Sequence, residues 1–329
     1  MVIIHYLIQI INKIIGKEQS PIDLPKQSQS TISPVKPVFE YYEVDVKQVK
    51  TTQSGGIKAH ENLKIVLEHG ALRIKYENFG ELVTIDGAIY RAQEINFKTP
   101  SEHTINGKQY AMEMQIIHNG QTAGDIAKQA VLCFLFESTP GVYNKLMDDI
   151  DFFNLPNPIT KEKNLANNIY IPKVFYNSDN EDVTLMKDFS FYTYQGSLTE
   201  PPCTERTIMY VAAKPIQLGT VALQLFQEAL REPDLMSDKG DLIIATKNPY
   251  NGRAVQKRNG RQVYFYPAKE ENCVRKPKGP PPVVGHFEKV PINLTQYYKV
   301  NGPNPSGMPG ALVVSAAEAR YGQDIFNLN

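Results

Sequence analysis

Lys98, the Asn96 two residues before it, and the carboxylates Glu94, Glu102, Glu113 and Glu200 are the residues around which chemistry could be built. Side chains of a strand alternate faces, so Asn96 and Lys98 would share one side, as would Glu113 and Gln115. This set is a poor metal cage. A protonated lysine amine has no lone pair, and its charge repels a cation. Asn and Gln offer only a weak carbonyl oxygen where zinc prefers nitrogen and sulfur. Glu94, Glu113 and Glu200 could in principle surround another cation, but Lys98 opposes it. The six histidines, His5, His60, His69, His103, His118 and His286, contain no HxH or HxxxH pair. No Ser-His-Asp or Cys-His arrangement stands out either. A buried Lys98 without a counter-charge would be very costly, so an acidic partner is expected. Glu113 is the first candidate, with Glu102 or Glu94 as the others.

The elements that must position these residues are mostly strands. Period-two runs at Leu63–Leu67, Ala71–Tyr76 and Ala111–His118 predict strands. Asn78-Phe79-Gly80, Asp86-Gly87, Asn106-Gly107 and Asn119-Gly120 read as turns between them. Helical patterns are fewer, and the best are Val142–Ile150 and Gly219–Leu230. The expected class is mainly β (α+β): one domain over residues 16–266, with a large, mostly antiparallel twisted sheet and a few peripheral helices. The chain has 329 residues, 42% of them hydrophobic, which suffices for a substantial core. Lys+Arg and Asp+Glu balance at 35 each, so no bulk charge draws it to nucleic acid.

Three segments carry a family resemblance. Gly16-Lys17-Glu18-Gln19-Ser20-Pro21-Ile22-Asp23-Leu24 resembles the entry motif of the α-carbonic anhydrases. Tyr90 to Gly107, with Ser101-Glu102-His103-Thr104 inside it and Glu113 to His118 beyond, resembles that family's metal strands. Tyr192 to Glu205 resembles its YxGSLTxPPCxE signature. Order and spacing match over residues 16 to about 266. The resemblance implies that the three zinc-binding histidine positions correspond here to Asn96, Lys98 and Gln115, so that all three ligands are replaced. It implies that Glu102 and Thr199 match the pair that orients a zinc-bound hydroxide, and that Glu81 stands where a proton-shuttling histidine would be. Leu198, Glu94, Glu113 and Glu200 complete the vestigial site. His103 and His118 match positions that are not ligands. The resemblance therefore implies a zinc-less, catalytically inactive member without a cofactor, in which the Lys98 ammonium takes the place of the metal charge.

The ends differ in character. Residues 1–15 are apolar, with one lysine and no acid. At ~1.5 Å per residue a helix of that length falls short of the roughly 30 Å hydrocarbon core. The segment reads as an anchor or interfacial helix, or as a helix packed on a partner. Nine of the 23 prolines lie between Pro267 and Pro309, so residues 267–329 read as an extended tail. Cys203 matches a cysteine that secreted relatives bridge to one near the N-terminus. No cysteine precedes Cys133 here, which favours a reducing location, although Cys273 could substitute. The expectation is a non-catalytic structural or interaction subunit of a larger, membrane-associated assembly. It would meet other protein subunits through 1–15 and 267–329, with a membrane contact at the N-terminus and no nucleic acid. A mitochondrial inner-membrane location is expected, with the secreted or cell-surface route as alternative. The alternative functions are a binding module holding a small anion or glycan in the former active-site pocket, and residual CO₂ hydration.

Overall fold

The computed structural model describes residues 16–33, 36–47, 62–121, 127–177, 188–231 and 249–268, and the backbone of 235–236 and 242–243. The apolar segment 1–15 and residues 269–329 of the tail lie outside the described residues, as do Cys273, His5, His60 and His286.

Strands run in the order β1 (Asp23–Leu24), β2 (Thr31–Ile32), β3 (Val38–Tyr41), β4 (Lys64–Glu68), β5 (Ala71–Val83), β6 (Ile89–Lys98), β7 (Thr104–Ile105) and β8 (Lys108–Gln109). They continue with β9 (Met112–Gly120), β10 (Gln129–Thr139), β11 (Glu162–Asn164), β12 (Phe191–Ser197), β13 (Glu205–Ala212), β14 (Ile216–Gly219), β15 (Leu235–Met236), β16 (Leu242–Ile243) and β17 (Tyr264–Tyr266). One large mixed sheet has the order β11-β4-β5-β6-β9-β10-β13-β12-β17-β2, with β3 on β5 and β14 on β10. Neighbouring strands are antiparallel except at β10–β13, β10–β14 and β17–β2. The short pair β1–β7 is parallel too.

β10 shows why the sheet forms. Its run Ala130-Val131-Leu132-Cys133-Phe134-Leu135-Phe136 is buried throughout, which requires cover on both faces. Leu132, Phe134 and Phe136 join one hydrophobic core with Phe97, Phe152 and Phe226. Val131, Cys133 and Leu135 join a second core with Tyr192, Tyr194 and Val211. The helix Thr220–Leu230 closes the first core with Leu223, Phe226 and Leu230. The other predicted helix is shorter than Val142–Ile150. It spans Lys145–Asp149, because the Asn144 side chain caps it by accepting from the Met147 N–H at 3.2 Å.

Two of the expected turns lie within strands. Asn78-Phe79-Gly80 sits inside β5, in an irregular stretch between Lys75 and Gly80 opposite β6. Gly80 has φ +142°, and a Cβ there would lie 2.2 Å from the Glu40 carbonyl on β3. The glycine thus serves close strand approach rather than a reversal. Asn119-Gly120 forms the end of β9. Asp86-Gly87 and Asn106-Gly107 do turn the chain.

A bulge sets the side-chain phase at the site. The β6–β9 register shifts between Ala92 and Glu94, leaving Gln93 as an extra residue. Before it, Tyr90 and Ala92 face the core; after it, Ile95 and Phe97 do. Glu94, Asn96 and Lys98 are thereby turned to the opposite face.

Candidate functional site

Register places the site residues in rows across four strands. Arg73 on β5 pairs with Asn96, Asn96 with Gln115 on β9, and Gln115 with Cys133 on β10. In the next row Lys98 pairs with Glu113 and Glu113 with Leu135. Above these rows lies a cleft of about 650 Å³. Asn96, Gln115, Glu94, Leu198, Thr199 and Glu200 all line it.

Lys98 is 3% exposed, and its ammonium pairs with Glu200. Glu200 also accepts from Arg73 Nη2, while Arg73 Nη1 donates to Glu94 Oε1 at 2.6 Å. Burial pushes the Glu200 carboxyl up, but Lys98 and Arg73 outweigh it and hold the group below its ordinary value. The expected partner Glu113 is corrected here. Although it faces Lys98 in register, its carboxylate accepts from the backbone N–H groups of Glu102 and His103 at 2.9 and 2.8 Å. It also meets His103 Nδ1 at 2.9 Å and accepts from Gln115 Nε2 at 2.9 Å. These bonds and the imidazole outweigh burial and bring Glu113 down to about 2. Glu94 turns to Arg73 and likewise is not the partner.

Glu102 is fully enclosed. It accepts from Gln115 Nε2 at 2.6 Å and from the Arg253 N–H at 2.8 Å. Burial raises its carboxyl, Lys98 pulls it down, and Glu113 pushes it up again. Thr199 Oγ1 donates to Gln115 Oε1 at 3.3 Å, tying the Leu198-Thr199 loop to β9. Glu81 lies outside the cleft lining and meets Arg91 at 3.4 Å.

The resemblance implies zinc, and the side chains present do not fit it. The Lys98 ammonium is committed to a carboxylate, and the Gln115 oxygen already accepts from Thr199. Asn96 Oδ1 is buried without a partner, a single weak oxygen donor. A second grouping, His103, Glu113 and Cys133, brings metal-type atoms within 4.8 Å of one another. Both His103 nitrogens are engaged, by Glu113 and by the Tyr194 hydroxyl at 2.8 Å. Burial, reinforced by Glu113, pushes the Cys133 thiol up. This grouping braces the site from below.

The three motifs converge. Ser20 N–H donates to Ser197 Oγ at 2.9 Å, and Tyr194 OH meets Ser20 Oγ at 2.9 Å. The Glu18 N–H donates to Glu205 Oε1 at 2.7 Å. Arg253 Nη1 reaches the Ser20 carbonyl at 2.7 Å while its backbone holds Glu102.

Arg73 is the residue that sequence reasoning missed. The signal was present in the phase of Ala71–Tyr76: Leu72 and Ile74 claim the core, which sends Arg73 to the cleft. The amides Gln93, Asn119 and Gln129 in the cleft lining were also missed.

The rows, the SEHT loop and the GSLT loop together define an α-carbonic anhydrase scaffold. The chain belongs to the carbonic anhydrase family: the family model for eukaryotic-type carbonic anhydrase matches residues 9–267. Alpha carbonic anhydrase 7 of Arabidopsis thaliana is 26% identical over 253 residues, covering 76% of this chain and 75% of that protein. Alpha carbonic anhydrase 8 of the same plant is 28% identical over 260 residues, 78% of this chain but 54% of its own length. Dioscorin DB3L of Dioscorea polystachya is 23% identical over 263 residues, 78% of each. Among solved structures, the α-carbonic anhydrase of Thermovibrio ammonificans with sulfanilamide superposes with a TM-score of 0.55 at 25% identity. That match covers 76% of this chain and 87% of that one. Among the described residues, no helix is long and apolar enough to cross a membrane.

Proposed function

We propose that this chain is a non-catalytic carbonic anhydrase-like protein, a structural or interaction subunit of a larger, membrane-associated assembly. The carrying observation is the Lys98–Glu200 ion pair, with Lys98 3% exposed at the position where the resemblance puts a zinc ligand. A zinc-bound water ionises near neutral pH because the metal stabilises hydroxide. A lysine ammonium already neutralised by a carboxylate supplies no nucleophile. Thr199 and Glu102, which would orient that hydroxide, instead bind the Gln115 amide from two sides. The domain then serves as a rigid block.

The assembly role rests on the sequence at the two ends. The apolar stretch 1–15 suits burial on a membrane or partner, and the proline-rich 267–329 suits an extended contact along other subunits. A mitochondrial inner-membrane assembly is the proposed setting. Elemental analysis of the purified chain, with CO₂ hydration measured with and without added zinc, tests the first half. Bound zinc or zinc-stimulated hydration refutes it. Pull-down of the full chain in mild detergent, followed by mass spectrometry and size fractionation, tests the second. A chain that elutes alone and monomeric refutes the subunit role.

A further inference from the structure

The cleft above the buried charges carries a second set of polar groups that the ion pairs do not use. Gln93 on β6, Asn119 on β9 and Gln129 on β10 stand side by side, and their amides form a one-way ladder. Gln129 Nε2 donates to Asn119 Oδ1 at 2.9 Å, and Asn119 Nδ2 donates to Gln93 Oε1 at 2.6 Å. Gln93 Nε2 then donates to the Glu77 carbonyl at 3.1 Å. Each primary amide has two N–H groups and one oxygen. The ladder uses one N–H of each, so a second N–H on all three and the Gln129 oxygen remain available among the described residues. Deeper in the cleft, Asn96 is 1% exposed and its Oδ1 has no partner. A buried polar atom left unmatched is costly, and it points to a group that completes it.

Charge selects what that group belongs to. Arg73 is held by Glu94 and Glu200, Lys98 by Glu200, and Lys75 by Glu68. An anion would have to displace a carboxylate to reach a cation. Glu77 is exposed and solvated, which gives a cation little reason to enter. Between the ladder and Asn96 the cleft is apolar: Ile117, Val131 and Met209 form the next row on the same sheet face, and Leu198 lines the cleft with them. The volume of about 650 Å³ lies within the ordinary range for small-molecule sites.

We propose that this cleft binds a neutral, hydroxyl-rich ligand, a saccharide. Its hydroxyls, each both donor and acceptor, would meet the free amide N–H groups and the Gln129 oxygen. Its C–H face would lie on the Leu198–Val131–Met209 patch. The inference rests on the metal-free reading of the cleft floor.

The test is saturation-transfer NMR and calorimetric titration of the full chain with glucose, galactose and maltose. Bicarbonate, sulfate and glucuronate serve as anionic comparators, and zinc content is measured on the same sample. The expected result is saturable millimolar binding of at least one neutral saccharide. Gln129→Ala and Asn119→Ala should each weaken it about tenfold, with circular dichroism unchanged. Asn119→Asp, which keeps the shape and removes the donor, should weaken it too. Tighter binding of the anions, no saturable binding of the three saccharides, or affinity indifferent to these substitutions overturns the proposal. Zinc in the sample overturns the metal-free reading instead, so the two failures are distinguishable.

Discussion

Glu200→Gln should be the most damaging single change at the floor of the cleft, and Lys98→Met the most forgiving. Lys98 is 3% exposed and pairs with Glu200, whose side chain is 26% exposed and also meets Arg73. Removing the carboxylate charge strands a buried ammonium. Breaking a buried pair in this way costs about 3–5 kcal/mol, and the nearby Glu102 charge brings the expectation to about 3 kcal/mol. Lys98→Met removes the charge that needs compensation, while Glu200 keeps Arg73, so the loss should stay near 1 kcal/mol. The double variant should be about as stable as Lys98→Met with only the weakened Arg73 contact added, a coupling of roughly 2 kcal/mol. Urea unfolding of all four proteins, followed by fluorescence and circular dichroism at neutral pH, measures the cycle. A Glu200→Gln cost below that of Lys98→Met, or additive losses, would refute the view that this pair neutralises the site.

Three further outcomes are expected. His118 is fully buried; its Nδ1 faces the Ile116 and Ala130 carbonyls and its Nε2 the Tyr41 hydroxyl at 2.9 Å, and burial brings its pKa from 6.5 to about 4. The depressed value means that folding stability is complete above about pH 6.5 and falls by up to about 3 kcal/mol toward pH 4. His118→Gln should flatten that slope in a pH series of urea melts, and an unchanged slope would count against it. Gly80→Ala should destabilise by about 3 kcal/mol, because the new Cβ meets backbone at a positive φ, and a melting temperature equal to the parent would contradict this. Replacing Asn96, Lys98 and Gln115 together by histidine should yield about one bound zinc per folded chain by elemental analysis, since Glu113 and Thr199 already flank position 115. A folded, metal-free triple variant would show that the rows do not converge as the register implies.

Much of this site was legible in the sequence. The i, i+2 spacing of Asn96 and Lys98 placed them on one face, and the chemistry of an ammonium demanded an acid. Which acid could not be read, because the answer lies in tertiary geometry. Glu113 is the cross-strand neighbour, yet two backbone N–H groups from the SEHT loop and His103 claim its carboxylate. Glu200 reaches Lys98 from a loop more than a hundred residues away. The strand runs were visible through their alternation, whereas the turn reading of Asn78-Phe79-Gly80 failed for a physical reason. Glycine there answers the approach of β3, which no local pattern reveals. Arg73 was overlooked because a charged residue in an alternating strand reads as solvated, and only the closure of the cleft buries it.

The extra residue at Gln93 has a consequence for which changes the domain can absorb. It fixes which side of the sheet each later residue of β6 occupies. Loss of that single residue would send Ile95 and Phe97 toward the cleft and drive Glu94, Asn96 and Lys98 into the oily interior. Exchanging one polar side chain for another on the outward rows asks for no such reversal. Point substitutions can therefore rewrite the chemistry of this surface while the scaffold stands, but a one-residue deletion at the kink would cost the scaffold itself.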